Sequence, residues 1–262
     1  MFETITIAQD TRGVARLVLN RPEKHNTLSA TMIAELTEAA ARLGGDASVR
    51  AVVLAAEGAS FCAGGDLSWM RAQIDGGPVM RREGALALAR MLNALDTLPK
   101  PLIGRVQGQA FGGGIGMMSV CDLCIGVGGA RFGLTETKLG LIPATISPYV
   151  VARIGAAAAR RHFMAARLFD GAEAYRIGLL HAVVSPEDLD AAVEAEVAPI
   201  LACAPGAVAD AKALVARLGP QVDEALVSDT ADLLIRRWES PEAAEGIAAF
   251  FGKRPPAWAS RG

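Results

Sequence analysis

Leu102-Ile103-Gly104-Arg105-Val106-Gln107-Gly108-Gln109-Ala110-Phe111-Gly112-Gly113-Gly114-Ile115-Gly116-Met117-Met118 is the stretch on which the fold turns. A short apolar run predicts a buried strand over 102–106. The glycines that follow predict a turn entering a buried helix. An earlier stretch has the same grammar. Val49 to Ala55 is an apolar, Val-rich run broken only by Arg50, and Ser60-Phe61-Cys62-Ala63-Gly64-Gly65-Asp66-Leu67 reads as a loop leading into a helix. Strand, glycine-rich loop and helix occurring twice argue for stacked α/β units. Upstream, Thr4-Ile5-Thr6-Ile7 and Ala15-Arg16-Leu17-Val18-Leu19 alternate around a polar turn at Gln9 to Gly13, a hairpin pattern. Ser29 then caps a helix with apolar positions at Met32, Ile33, Leu36, Ala39, Ala40 and Leu43, which Gly44-Gly45 stops. A breaker at Asp75-Gly76-Gly77-Pro78 precedes a long helix from about Val79 to Leu98, which Pro99 and Pro101 end. Leu123 to Val127 is a further strand. From about Ala156 the chain reads as mainly helical, with helix starts at Pro186-Glu187-Asp188-Leu189 and punctuation at Pro205 and Pro220.

The 262 residues are 52% apolar and 21% charged, which excludes a disordered chain and suffices for a full core. No low-complexity linker appears. One α/β core over residues 1–200 with a helical C-terminal region over 201–262 fits better than two independent domains. The net charge of −2 argues against a basic nucleic-acid coat. No apolar run reaches membrane-spanning length, and Met1-Phe2-Glu3-Thr4 does not open a signal peptide, so a cytoplasmic protein is expected. Cys62, Cys121, Cys124 and Cys203 read as buried reduced thiols. Cys121-Asp122-Leu123-Cys124 spells a CxxC, but no second CxxC or paired histidine completes a zinc site.

Generic nucleotide and hydrolase motifs fail. The one Gly-Lys pair, Gly252-Lys253, is followed by Arg254. The triplet Gly112-Gly113-Gly114 is followed three residues later by Met117, and neither GxSxG nor HExxH occurs. Two glycine clusters at the ends of apolar strands remain, each opening a helix. Glycine lets the backbone approach a ligand, and the first amides of a helix lack internal partners. Two such amides aimed at one oxygen form an oxyanion hole, each donor contributing about 3 kcal/mol in the transition state. Close helix packing and turn geometry account for the glycines equally well on these grounds.

Five motifs taken in order resemble the enoyl-CoA hydratase/isomerase (crotonase) superfamily across essentially the whole chain. They are Leu19-Asn20-Arg21-Pro22, Ser60 to Leu67, Phe111-Gly112-Gly113-Gly114 with Cys121-Asp122, Phe132-Gly133-Leu134-Thr135-Glu136, and Phe250-Phe251-Gly252-Lys253-Arg254-Pro255-Pro256. The resemblance implies the ClpP/crotonase spiral of stacked ββα units with a helical C-terminal trimerisation region, in a homotrimer or homohexamer. It places the oxyanion amides at Gly65 and Gly113 and a catalytic glutamate at Glu136. Ala63, Asp66 and Leu67 are expected along the CoA arm, with Lys24, His25 and Lys253 as further CoA contacts and Arg254 near the nucleotide phosphates. The substrate is an acyl-CoA thioester. No metal or redox cofactor and no nucleic acid are implied.

The family's second glutamate falls at Gly116, so the two-carboxylate hydratase mechanism does not transfer whole. Phe61 to Met70 and Gly140 to Val150 are similar to the 3-methylglutaconyl-CoA hydratase branch. The expected reaction is therefore water addition to a 2-enoyl-CoA, with Glu136 as base. The proton returns to C2 from Glu136 or through a water in the space left by Gly116. A Δ3,Δ2-enoyl-CoA isomerase using one glutamate is the alternative, and a non-catalytic acyl-CoA or RNA-binding protein is the alternative of another class. Arg71, Arg81 and Arg82 are candidates to meet a distal carboxylate, although a solvated helix face also explains them. Trp69, Met70 and Tyr149 line the acyl pocket or pack the core.

Overall fold

The hairpin that opens the chain, β1 (Ile5–Gln9) and β2 (Val14–Leu19), pairs antiparallel with Ile5 opposite Leu19. The structure is a computed structural model and describes residues 1–260. Ser29 accepts a hydrogen bond from the Met32 amide and so caps α1 (Ala30–Gly45). The six apolar positions expected to face inward on α1 are its buried residues.

Three ββα repeats follow. The first is β3 (Ala51–Ala56), β4 (Ser60–Cys62), then α2 (Leu67–Asp75) and α3 (Gly77–Asp96). The second is β5 (Leu102–Val106), β6 (Gln109–Phe111) and α4 (Gly113–Val120). The third is β7 (Leu123–Val127), β8 (Phe132–Gly133), a 3-10 turn over Glu136–Leu139 and α5 (Ser147–Ala165). Each repeat gives its first strand to one sheet and its second to another. The larger sheet runs β1-β2-β3-β5-β7-β9 and the smaller β4-β6-β8, with every pairing after β1–β2 parallel. This alternation produces the spiral, and it carries every β-to-α turn of the small sheet to the same end.

After α6 (Gly171–Arg176), the strand β9 (Ala182–Val184) extends the larger sheet by pairing with β7. It interrupts the stretch expected to be mainly helical, because its backbone completes an otherwise open edge. The chain ends in α7 (Leu189–Leu201), α8 (Pro205–Leu218), α9 (Glu224–Trp238) and α10 (Pro241–Phe251). Among the described residues no single helix is long and apolar enough to cross a membrane.

The core lies between the large sheet and the helices α1, α3, α4 and α7, where Leu17, Leu36, Leu54, Met91 and Leu95 are fully buried. Cys62, Cys121 and Cys124 are buried free thiols, as expected. Cys203 departs from that expectation. It sits exposed in the turn between α7 and α8, outside the packed layers.

Candidate active site

Both glycine turns open onto one cavity of about 520 Å³, and Glu136 lines it with them. At the first turn, Gly64 adopts φ +93°, a conformation that side chains disfavour. The Leu28 amide donates to the Gly64 carbonyl at 2.8 Å, and the Asp66 amide donates to the Leu28 carbonyl at 3.0 Å. Gly65 is thus bridged in parallel to Leu28, with its own N–H on the opposite side of the ladder. At the second turn, Gly112 has φ +48° and its amide donates to the Gly133 carbonyl at 3.1 Å. Gly113 then becomes the first residue of α4, a position whose N–H has no partner within the helix. Among the described residues, no hydrogen bond takes the Gly65 or the Gly113 amide.

Glu136 begins the 3-10 turn after β8. Its Oε2 is buried and, among the described residues, without a partner. Burial raises its pKa to about 7, opposed only by a backbone hydrogen bond. A Cβ on Gly112 would stand 3.1 Å from Glu136 Oε1, so the second glycine turn and the carboxyl fit closely. Among the described residues neither Thr135 nor Lys138 makes a side-chain hydrogen bond to this carboxyl.

Gly116 corrects an expectation. No space for a water lies beside it. A Cβ there would meet Ile146 Cγ2 at 2.7 Å and Ile146 Cβ at 3.1 Å. Ile146, on the segment leading into α5, fills the volume that the missing side chain leaves, and it also lines the cavity.

Of the other residues singled out in the sequence, Ala63 and Leu67 line the cavity. Asp66 is engaged elsewhere. Its carboxylate accepts from the Ser68 and Trp69 amides, capping α2, and from Arg21 at 3.1 Å and Thr27 Oγ1 at 3.2 Å. Burial pushes its pKa up, but the amides of Trp69 and Ser68 together with Arg21 outweigh this and hold it below the usual value. Lys24 and His25 sit on the exposed turn at Pro22–Lys24, where His25 Nδ1 lies 3.0 Å from Ser60 Oγ. Lys253 is exposed just past α10, and Arg254 pairs with Glu245 at 2.7 Å. Lys24, His25, Asp66 and Lys253 are not part of the cavity wall, whereas Phe250, close by on α10, is.

Trp69 and Met70 line the cavity, while Tyr149 is packed in the core. The three arginines separate cleanly. Arg71 lies over the Phe251 ring at 4.5 Å, Arg82 pairs with Asp232 at 3.0 Å, and Arg81 alone reaches the cavity. Sequence reading missed Leu28, Ile146 and the α9 residues Leu234 and Trp238. They enter the wall through tertiary packing, and only Ile146 falls in a stretch, Gly140 to Val150, that the sequence marked.

A ββα repeat that feeds two sheets in turn is the crotonase fold, and here two unpartnered amides and a buried carboxyl open onto one cavity within it. The family model for enoyl-CoA hydratase/isomerase matches residues 9–261. The chain belongs to the enoyl-CoA hydratase/isomerase family. The mitochondrial methylglutaconyl-CoA hydratase of Rattus norvegicus is 32% identical over 262 residues, covering 95% of this chain and 80% of its own. An enoyl-CoA hydratase structure from Mycobacterium avium superposes with TM-score 0.85 at 32% identity, covering 98% of this chain and 100% of that one. One from Shewanella pealeana gives TM-score 0.81 at 37% identity, covering 98% and 97%. The assignment these relatives carry is a hydro-lyase of the enoyl-CoA hydratase type.

Proposed function

We propose that the chain adds water across a 2-enoyl-CoA thioester. The observation that carries this reading is the meeting of two unpartnered amides and one carboxyl in a single cavity. The thioester oxygen accepts from the Gly65 and Gly113 amides. Glu136 takes a proton from water as the water oxygen bonds to C3, and the electron pair of the double bond moves to the thioester oxygen. The enolate so formed is stabilised by the two donors, each contributing about 3 kcal/mol. Glu136 then returns the proton to C2 and the thioester carbonyl reforms. Ile146 fills the place beside Gly116, which supports Glu136 as the carrier of the proton in both steps. A carboxyl with a pKa of about 7 is suited to both roles near neutral pH.

In this reading Ala63 and Leu67 flank the CoA arm, Asp66 lies along it as the cap of α2, and Lys24, His25 and Lys253 are further CoA contacts. CoA belongs to the substrate, and the steps use no metal or redox cofactor. A 3-methylglutaconyl-type ester is the acyl group that similarity to the rat enzyme supports. A homotrimer or homohexamer is the proposed assembly. A second reading, double-bond migration between the 3-enoyl and 2-enoyl esters by one carboxyl, is favoured by the filled position at Gly116.

Incubating the protein with 2-enoyl and 3-enoyl thioesters in oxygen-18 water separates the two. Label in a 3-hydroxyacyl product supports hydration. Bond migration without label rules for the isomerase. Glu136→Gln is expected to remove most turnover and leave acyl-CoA binding largely intact, and unchanged turnover would discard the assignment.

A further inference from the structure

Resting on the hydratase reading of this cavity, we propose that its far end is a carboxylate subsite built on Arg81. Acyl chains of about eight or more carbons that end in a carboxylate then join the substrates. The first support is where the guanidinium is held. Its Nε donates to the Gln73 carbonyl at 2.9 Å and its Nη2 to the Ile74 carbonyl at 2.8 Å, which pins it to the C-terminal end of α2. Trp238 backs it, with the ring centroid 5.6 Å away.

The second support is charge. Among the described residues no carboxylate pairs with Arg81, and no hydrogen bond engages its Nη1. Arg81 is half-buried, and the cavity it lines has Met70, Ala85 and Leu234 among its apolar walls. The two carbonyls and the end of the α2 dipole offset part of its desolvation, but a half-buried cation with no carboxylate partner still favours an anion. The free edge of the fork matches a carboxylate. Lys138, the other cation lining the cavity, is exposed and two residues from Glu136, so it belongs to the reacting end.

The third support is length. Gly65 precedes the N-terminus of α2, whereas Arg81 stands at its C-terminus. From Asp66 to Ile74 the rise is about 12 Å at 1.5 Å per residue. A carbon chain advances by less than about 1.5 Å per bond, so about eight carbons are needed to span from the amides to the guanidinium. A five-carbon diacid anchored by its thioester at Gly65 and Gly113 stops short of Arg81. The subsite therefore adds a class of substrate beyond the 3-methylglutaconyl type.

The competing role for Arg81 is to cap α2 and nothing more. The two roles separate in a ratio taken at constant chain length. We would measure kcat/KM for 2-decenoyl-CoA and for the same ester ending in a carboxylate, with crotonyl-CoA as the short reference. The wild type is expected to prefer the carboxylate-ended chain. Arg81→Met is expected to lower the ratio of carboxylate-ended to methyl-ended ester by about 10- to 100-fold, and Arg81→Lys by less. Because each ratio is taken within one protein, a general loss of activity or stability cancels. Affinities of decanoyl-CoA and its carboxylate-ended counterpart, measured by calorimetry, read the same ratio without turnover. An unchanged ratio in Arg81→Met reduces Arg81 to a cap. Crotonyl-CoA hydration with no carboxylate preference in the wild type overturns the subsite and leaves the hydratase reading standing. A calorimetric preference without hydration of any ester supports the subsite and removes the hydratase reading.

Discussion

Replacing Glu136 by Gln is expected to remove most activity and to flatten a pH dependence of stability that belongs to this one side chain. In the unliganded folded protein burial lifts the Glu136 carboxyl from 4.5 to about 7. The unfolded chain releases its proton at the ordinary value. Between about pH 4.5 and pH 7 the folded state therefore holds the extra proton, and its stability falls as pH rises through that window. Above about pH 7 both states are ionised and the loss is complete. A shift of about two and a half units at 1.36 kcal/mol each amounts to about 3 kcal/mol. The amide of Gln cannot ionise, so the variant lacks this slope. Its NH2 group needs an acceptor beside a site where Oε2 has none, a cost of about 1–2 kcal/mol that does not change with pH. Every other titrating group is common to both proteins and cancels in the difference. The stability of Glu136→Gln minus that of wild type is thus expected to climb by about 3 kcal/mol from about pH 4.5 to about pH 7.5 and then level. Urea midpoints across that range measure it. Parallel profiles would falsify the buried carboxyl, with Oε2 unpartnered, on which the mechanism depends. In the same pH range wild-type kcat/KM is expected to rise toward a plateau with an apparent pKa near 7, while the variant loses roughly 10²- to 10⁴-fold.

Gly116→Ala, which presses a methyl against Ile146, is expected to lose about 1–3 kcal/mol by thermal unfolding. Gly116→Glu should lose more, and adding Ile146→Ala should recover part of that loss; no recovery would mean that Ile146 is not what fills the position. Gly112→Ala combines φ +48° with a close contact to Glu136 Oε1, so turnover is expected to fall at least about tenfold through a displaced carboxyl, read in kcat rather than KM. Asp66→Ala removes the cap of α2 and leaves Arg21 without its carboxylate, with an expected loss of about 1–3 kcal/mol in urea unfolding.

The parts of this fold written in local pattern were legible before the structure. The inward face of α1, the β1–β2 hairpin and the apolar strands β3, β5 and β7 each carry their own period or run. The second strand of every repeat was not legible. β4 and β6 have three residues and β8 has two, too few to show alternation, and their pairing with one another alone makes them strands. The third repeat stayed hidden for that reason, and β9 exists because β7 needs a neighbour. At the site, the glycine turns and Glu136 belong to motifs and could be found. The contact between Gly116 and Ile146, and the approach of Leu234 and Trp238 to the cavity, join residues far apart in the chain and leave no mark on either stretch.

The Gly116–Ile146 contact bears directly on the chemistry. A site with two carboxyls can divide the labour, one receiving a proton while the other gives one. A site with one carboxyl has to do both within a turnover, so its pKa cannot sit far from the working pH without one half-reaction becoming slow. At an ordinary value of 4.5 Glu136 would be a ready base at neutral pH and a poor acid. Burial corrects this. Ile146 supplies apolar wall to the cavity that Glu136 also lines, and burial is the cause that lifts Glu136 to about 7. Ile146→Ala is accordingly expected to lower the apparent pKa of the kcat/KM profile, and a profile that stays in place would separate Ile146 from that shift.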